Sequence, residues 1–117
     1  MYTFQKKYEN KNLEELWAII SIDLRENNIK EVSSIRGKIY KIEDVTNVGV
    51  HYSAESRNGG KIEDLTKTDF INFLMIIKDQ TIFNTNTIKM DLPKEIYAKR
   101  SPLFAILLAL EIIVVRK

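Results

Sequence analysis

Leu103 to Val115 is the stretch that most restricts how this chain can fold: thirteen residues in a row, of which only Glu111 is charged. Crossing a bilayer takes roughly 20 apolar residues, so the run is too short for a membrane span and has to be buried in a core. Lys99-Arg100-Ser101-Pro102 stands immediately before it. Serine is a favoured N-cap and proline a favoured first helical residue. The segment therefore predicts a helix from Pro102 to about Leu110, capped by Ser101, with two cations just outside its first turn. The leading amides of a helix lack partners and attract anions, and Lys99 and Arg100 add to that pull. Beyond Leu110 the β-branched residues Ile112 to Val115 read as either more helix or a strand, since neither Gly nor Pro marks a change.

The rest of the chain supplies the core such a run needs. At 117 residues it reads as one domain, 1–117, and its 44% hydrophobic content is that of a globular protein. Asn12 and Glu15 have capping-box spacing, and Leu13, Leu16, Trp17, Ile20 and Leu24 then recur with helical period. A helix over 13–26 follows, stopped by Asn27-Asn28, with Ile19 and Ile22 widening its buried stripe. Thr66 and Asp69 repeat the capping spacing before Phe70, Phe73, Leu74 and Ile77, a second amphipathic helix that Met75 and Ile76 broaden.

Between these helices the pattern is β. Ile29–Ile35 and Lys38–Val45 read as strands separated by Gly37. After a turn at Thr46-Asn47, Val48, Val50, Tyr52 and Ala54 alternate with Gly49, His51 and Ser53, the period of a half-buried strand. Arg57-Asn58-Gly59-Gly60-Lys61 is a basic turn, and Lys61–Leu65 a further short strand. Ile82-Phe83 and Ile88–Leu92 read as short strands around the polar turn Asn84-Thr85-Asn86-Thr87, and Pro93 opens a helical turn carrying Tyr97. The fold class is α+β: an N-terminal helix, a small mainly antiparallel sheet, and two or more C-terminal helices packed on it.

Few chemistries find their residues. The chain has no cysteine and one histidine, which removes disulfides and thiolate metal sites and leaves little for zinc; no metal or cofactor is expected. Asp23-Leu24-Arg25 and Glu55-Ser56-Arg57 place arginine where many metal-dependent nucleases use a lysine, and arginine does not readily give up its proton. His51 and Ser53 share a strand face without a nucleophile elbow or an assigned acid. Gly59-Gly60 lacks P-loop spacing. The expectation is a protein that is not an enzyme. Absence of an apolar leader in Met1–Tyr8 and of cysteine suits a cytoplasmic location.

Recognition is the remaining class. Residues 80–117 hold six cations and three anions, whereas the two preceding thirds are balanced or slightly acidic. Arg57 and Lys61 bracket the Gly-Gly turn, Lys99, Arg100 and Ser101 lead into the last helix, and Asn84 and Asn86 offer neutral hydrogen bonds to phosphates or base edges. Arg57, Lys61, Lys99 and Arg100 form one phosphate-tracking patch if the turn and the helix start share a face, with Asn84, Asn86 and Ser101 adding polar contacts.

Gly37-Lys38-Ile39-Tyr40-Lys41-Ile42 running into Val45, Val48-Gly49-Val50-His51-Tyr52-Ser53, Leu65-Thr66-Lys67-Thr68-Asp69-Phe70, and Lys99-Arg100-Ser101-Pro102 occur in an order that resembles the strand–strand–helix–helix accessory modules of some restriction-type endonucleases. That resemblance implies a module that reads DNA and leaves cleavage to another domain; it brings no catalytic residue to this chain. The leading expectation is a non-catalytic nucleic-acid-binding domain, with DNA as its partner. The alternative is a protein-interaction module (a subunit, adaptor or inhibitor, as from a mobile element) that covers apolar helix surface with a copy of itself or another protein.

Overall fold

The computed structural model describes residues 1–116; Lys117 lies outside the described residues. Four helices and six strands alternate as β1 (Tyr2–Phe4), α1 (Leu13–Glu26), β2 (Glu31–Ser33), β3 (Ile39–Thr46), β4 (Gly49–Ser53), β5 (Glu63–Thr66), α2 (Lys67–Lys78), α3 (Lys94–Tyr97), α4 (Arg100–Ala109) and β6 (Ile113–Val115). The fold is α+β, and every strand pairing is antiparallel.

Both amphipathic helices start where their capping pairs place them. Asn12 Oδ1 accepts from the Glu15 amide at 2.8 Å, and the Glu15 carboxylate accepts from the Asn12 amide at 3.2 Å. Thr66 and Asp69 do the same at the head of α2, both bonds 3.0 Å. In α1 the buried face is Leu16, Trp17, Ile20, Ser21 and Leu24, and Ile22 is exposed, contrary to expectation. At 3.6 residues per turn Ile22 lies two steps round from Ile20, on the far side of the helix. Trp17 is core: its ring sits 5.3 Å from Phe70, and its indole N–H donates to the Asn47 carbonyl.

Strands β2-β3-β4-β5 form a four-stranded meander in sequence order. One face carries Val32, Tyr40, Val50, Tyr52 and Leu65, all buried, and α1, α2 and α4 pack around this meander. The β3–β4 turn falls at Asn47-Val48, one residue later than the sequence suggests, so Val48 is exposed instead of inward. Gly49 then begins β4 against β5, where a Cβ would stand 2.8 Å from the Leu65 carbonyl oxygen. Only glycine lets the two backbones come that close.

A second sheet was not legible in the sequence. β1 pairs with β6, Tyr2 to Val115 and Phe4 to Ile113, and Tyr2 also exchanges two backbone bonds with Phe83. The apolar run thus divides into a helix and a strand. Pro102 through Leu107 are buried, as are Leu110, Ile112 and Ile113. Glu111 makes the break by adopting a left-handed conformation, φ 57°. The Glu111 amide bonds to Leu108 O and the Ile112 amide to Leu107 O, a Schellman closure built without glycine.

Ile88–Leu92 is not a strand. Ile88 and Leu92 are buried while Met90 between them is exposed, and the chain turns through a 3-10 segment at Lys89–Asp91. Asn84 directs this. Its Oδ1 accepts from the amides of Asn86 and Thr87, both at 2.8 Å, which competes with strand pairing.

Candidate nucleic-acid interface

Three segments meet beside α4. The first is the β2–β3 connection, tied by Ser34 N to Lys38 O at 2.8 Å and by the Lys38 amide to Ser34 Oγ at 3.0 Å. Gly37, at φ 84°, turns the chain and leaves Arg36 exposed at the tip. The second is the Asn84 turn. The third is the α3–α4 elbow, where Lys99 N bonds to Ile96 O and Arg100 opens the helix. Together they enclose a half-open cleft of about 500 Å³. Ile35, Phe104, Ala105 and Leu108 give it an apolar lining, Arg36 and Arg100 its charge, and Ser34, Asn84, Thr85, Asn86 and Ser101 its hydrogen-bonding groups.

Four of the seven residues singled out in the sequence, Asn84, Asn86, Arg100 and Ser101, line this one cleft. The other three do not. Arg57 makes a two-pronged ion pair with Glu63, Nε to Oε2 at 2.9 Å and Nη2 to Oε1 at 3.2 Å, and its Nη1 donates to the Ala98 carbonyl. This pairing holds the Glu63 carboxyl below its ordinary range and raises the Arg57 pKa. Lys99 Nζ lies 3.0 Å from Oδ2 of Asp69, the buried capping acid of α2. The Gly-Gly turn and the helix start are therefore neighbours, as the patch requires, but two of its cations are neutralised by carboxylates. Lys61 is exposed on the turn, outside the cleft.

Ser101 is not the N-cap of α4. That position belongs to Lys99, because the chain enters α4 from the helical turn of α3, already curled, so the helix starts one residue before Ser101. Ser101 Oγ instead accepts a hydrogen bond from Tyr40 O–H at 2.8 Å. Pro102 stays within the first turn, where its missing N–H costs nothing.

Arg36 is the residue that sequence reasoning missed. It forms no ion pair among the described residues, and neither does Arg100. Arg100 is held in place by neutral partners: Nη1 donates to Tyr97 O at 2.7 Å, and the guanidinium lies 4.1 Å from the Tyr97 ring centre. Lys89 approaches the same ring at 5.7 Å. Tyr97 registers the resulting positive potential, its pKa lowered first by a hydrogen bond from Lys89 and further by the charges of Lys89 and Arg100.

The outer face of the four-stranded sheet is acidic. His51 sits between two carboxylates, Nε2 3.0 Å from Asp64 and Nδ1 3.9 Å from Asp44. Ser53 donates to Glu43 at 2.9 Å, so His51 and Ser53 do not form a nucleophile–base pair. His51 lines none of the three main clefts. One acid–x–lysine sequence is present, Glu9-Asn10-Lys11, in an exposed turn where Lys11 faces Glu15. Among the described residues no three His, Cys, Asp or Glu side chains group as metal ligands, and no helix is long and apolar enough to cross a membrane. No protein-family model, curated protein or solved structure matches the chain.

Proposed function

We propose that the protein is a non-catalytic nucleic-acid-binding domain, with DNA as the first partner to test, and that the cleft beside α4 is its phosphate-contacting site. The observation that supports this reading is the convergence of Arg36, Arg100, Asn84, Asn86 and Ser101 on one cleft. Two guanidiniums without carboxylate partners favour an anion, and guanidinium matches phosphate geometry with paired N–H donors. Lys89 extends the charge past Tyr97. The acidic sheet face repels a polyanion, which orients any nucleic acid to the opposite side.

Fluorescence anisotropy against labelled oligonucleotides over a range of salt concentrations tests the reading. Arg36→Ala should weaken binding about tenfold, the order of one charge-assisted hydrogen bond. It should also reduce the slope of log K against log salt by about one. Lys61→Ala, outside the cleft, should change both much less. An unchanged slope in Arg36→Ala removes the cleft from the interface.

The interaction-module alternative loses one of its supports, because most of the apolar C-terminal run is buried in the chain's own core, while Met75 on α2 remains exposed. It keeps exposed Ile35 and Ile39 on the β2–β3 hairpin. A concentration-dependent mass in sedimentation, abolished by Ile39→Lys, would favour it.

A further inference from the structure

We infer that the cleft holds one unpaired nucleotide of a single strand, its base on the apolar lining and its phosphate between Arg36 and Arg100. This rests on the nucleic-acid reading and adds which form is bound. Shape is the first reason. A volume of about 500 Å³ falls within the range of small-ligand sites, roughly 300–1,000 Å³. A duplex presents a convex backbone with its base faces stacked out of reach, and binding it calls for a broad basic surface. Here the cations at the neighbouring turn and elbow, Arg57 and Lys99, are spent on Glu63 and Asp69, whereas Arg36 and Arg100 in the cleft have no carboxylate partner among the described residues.

The division of the lining is the second reason. Exposed Ile35 and half-buried Leu108, over a floor of buried Phe104 and Ala105, offer apolar contact that a phosphate has no use for and a base face does. Arg100, braced on Tyr97, holds its guanidinium at the edge of this lining, where a phosphate attached to a seated base would reach it. The Asn86 side chain makes no hydrogen bond among the described residues, its turn being held by Asn84 instead. Its amide carries both donor and acceptor, the pairing an exposed base edge needs. Ser101 accepts from Tyr40 and so keeps its own O–H to donate.

The test compares an eight-nucleotide single strand with a hairpin duplex of the same sequence, by anisotropy at fixed ionic strength, and competes the bound strand with a deoxynucleoside monophosphate or with inorganic phosphate. The single strand should bind at least about tenfold more tightly than the duplex, the scale of one stacked base. The mononucleotide should displace it at concentrations where inorganic phosphate does not. Ile35→Ser, a change at an exposed position whose unfolding midpoint checks that the fold is intact, should weaken the strand several-fold. Equal or tighter binding of the duplex, or equal competition by phosphate, overturns this inference while leaving the nucleic-acid reading standing. Failure of strand and duplex alike to bind overturns both.

Discussion

Tyr52 carries the least settled polar group in the core. Its side chain is fully buried and its hydroxyl has no hydrogen-bond partner among the described residues. Burial pushes its pKa from 10.0 up to about 12, against the opposing charge of nearby Arg57. A raised pKa means that the fold favours the neutral phenol. That contribution is fully present below pH 10 and is lost as pH rises through about 12. Two pKa steps correspond to something on the order of 2–3 kcal/mol. Tyr52→Phe keeps the ring and removes the orphan hydroxyl, so at neutral pH its stability should be unchanged or higher by up to about 1 kcal/mol. Its urea midpoint should also fall less steeply between pH 10 and 12 than that of the parent. A loss of more than about 1 kcal/mol at pH 7 would show that the hydroxyl is bonded after all.

At the scale of elements, the join between α4 and β6 sets where the apolar run changes from helix to strand. Glu111 pays a steric cost of roughly 1–2 kcal/mol to sit at φ 57°. Leu107 and Ile112, both fully buried, hold the junction closed from either side. Glu111→Gly removes that cost, less the entropy glycine loses on folding, so thermal unfolding should report a gain of about 0.5–1 kcal/mol. A destabilised Gly variant would mean that the Glu111 side chain contributes something its backbone does not. The contrast with α1 shows why this break was not legible in advance. There Asn28, a residue that tolerates left-handed backbone, occupies the same position at φ 52° and announces the stop. Glutamate announces nothing, so Ile112–Val115 stayed ambiguous. The Ile88–Leu92 segment misled for a different reason. Apolar residues at every second position look like a strand, but only Ile88 and Leu92 are buried, and the Asn84 side chain had already committed the backbone to a turn.

Across the whole molecule, Phe104 on α4 ties the two-stranded β1–β6 sheet and Phe83 to α2. Its ring lies 5.2 Å from Tyr2 on β1, 6.2 Å from Phe73 on α2 and 5.9 Å from Phe83, in each case edge to face. It also lines the cleft. Phe104→Ala should cost about 3–5 kcal/mol in chemical denaturation, the price of a large cavity among aromatic rings. A cost below about 1 kcal/mol would show that the three rings close over the gap.

The local features of the chain determined what local physics can determine. Asn12 with Glu15 and Thr66 with Asp69 bond within one turn, so their spacing alone starts two helices. The alternation through Val50, Tyr52 and Ala54 selects a buried face without reference to a partner. The burial of residues 103–107 follows from their composition. What the sequence left open depends on contacts far apart in the chain. Tyr2 pairs with Val115 and bridges to Phe83, a pairing that no short-range pattern encodes. Lys99 and Arg57 look like free cations until the fold brings Asp69 and Glu63 to them. Arg36 looks unremarkable until its hairpin is set beside Arg100. The Lys99-Arg100-Ser101-Pro102 segment foretold a helix and a positive charge. The tertiary structure decided which charge remains unpaired, because pairing between charges depends on distance in space and not on separation along the chain.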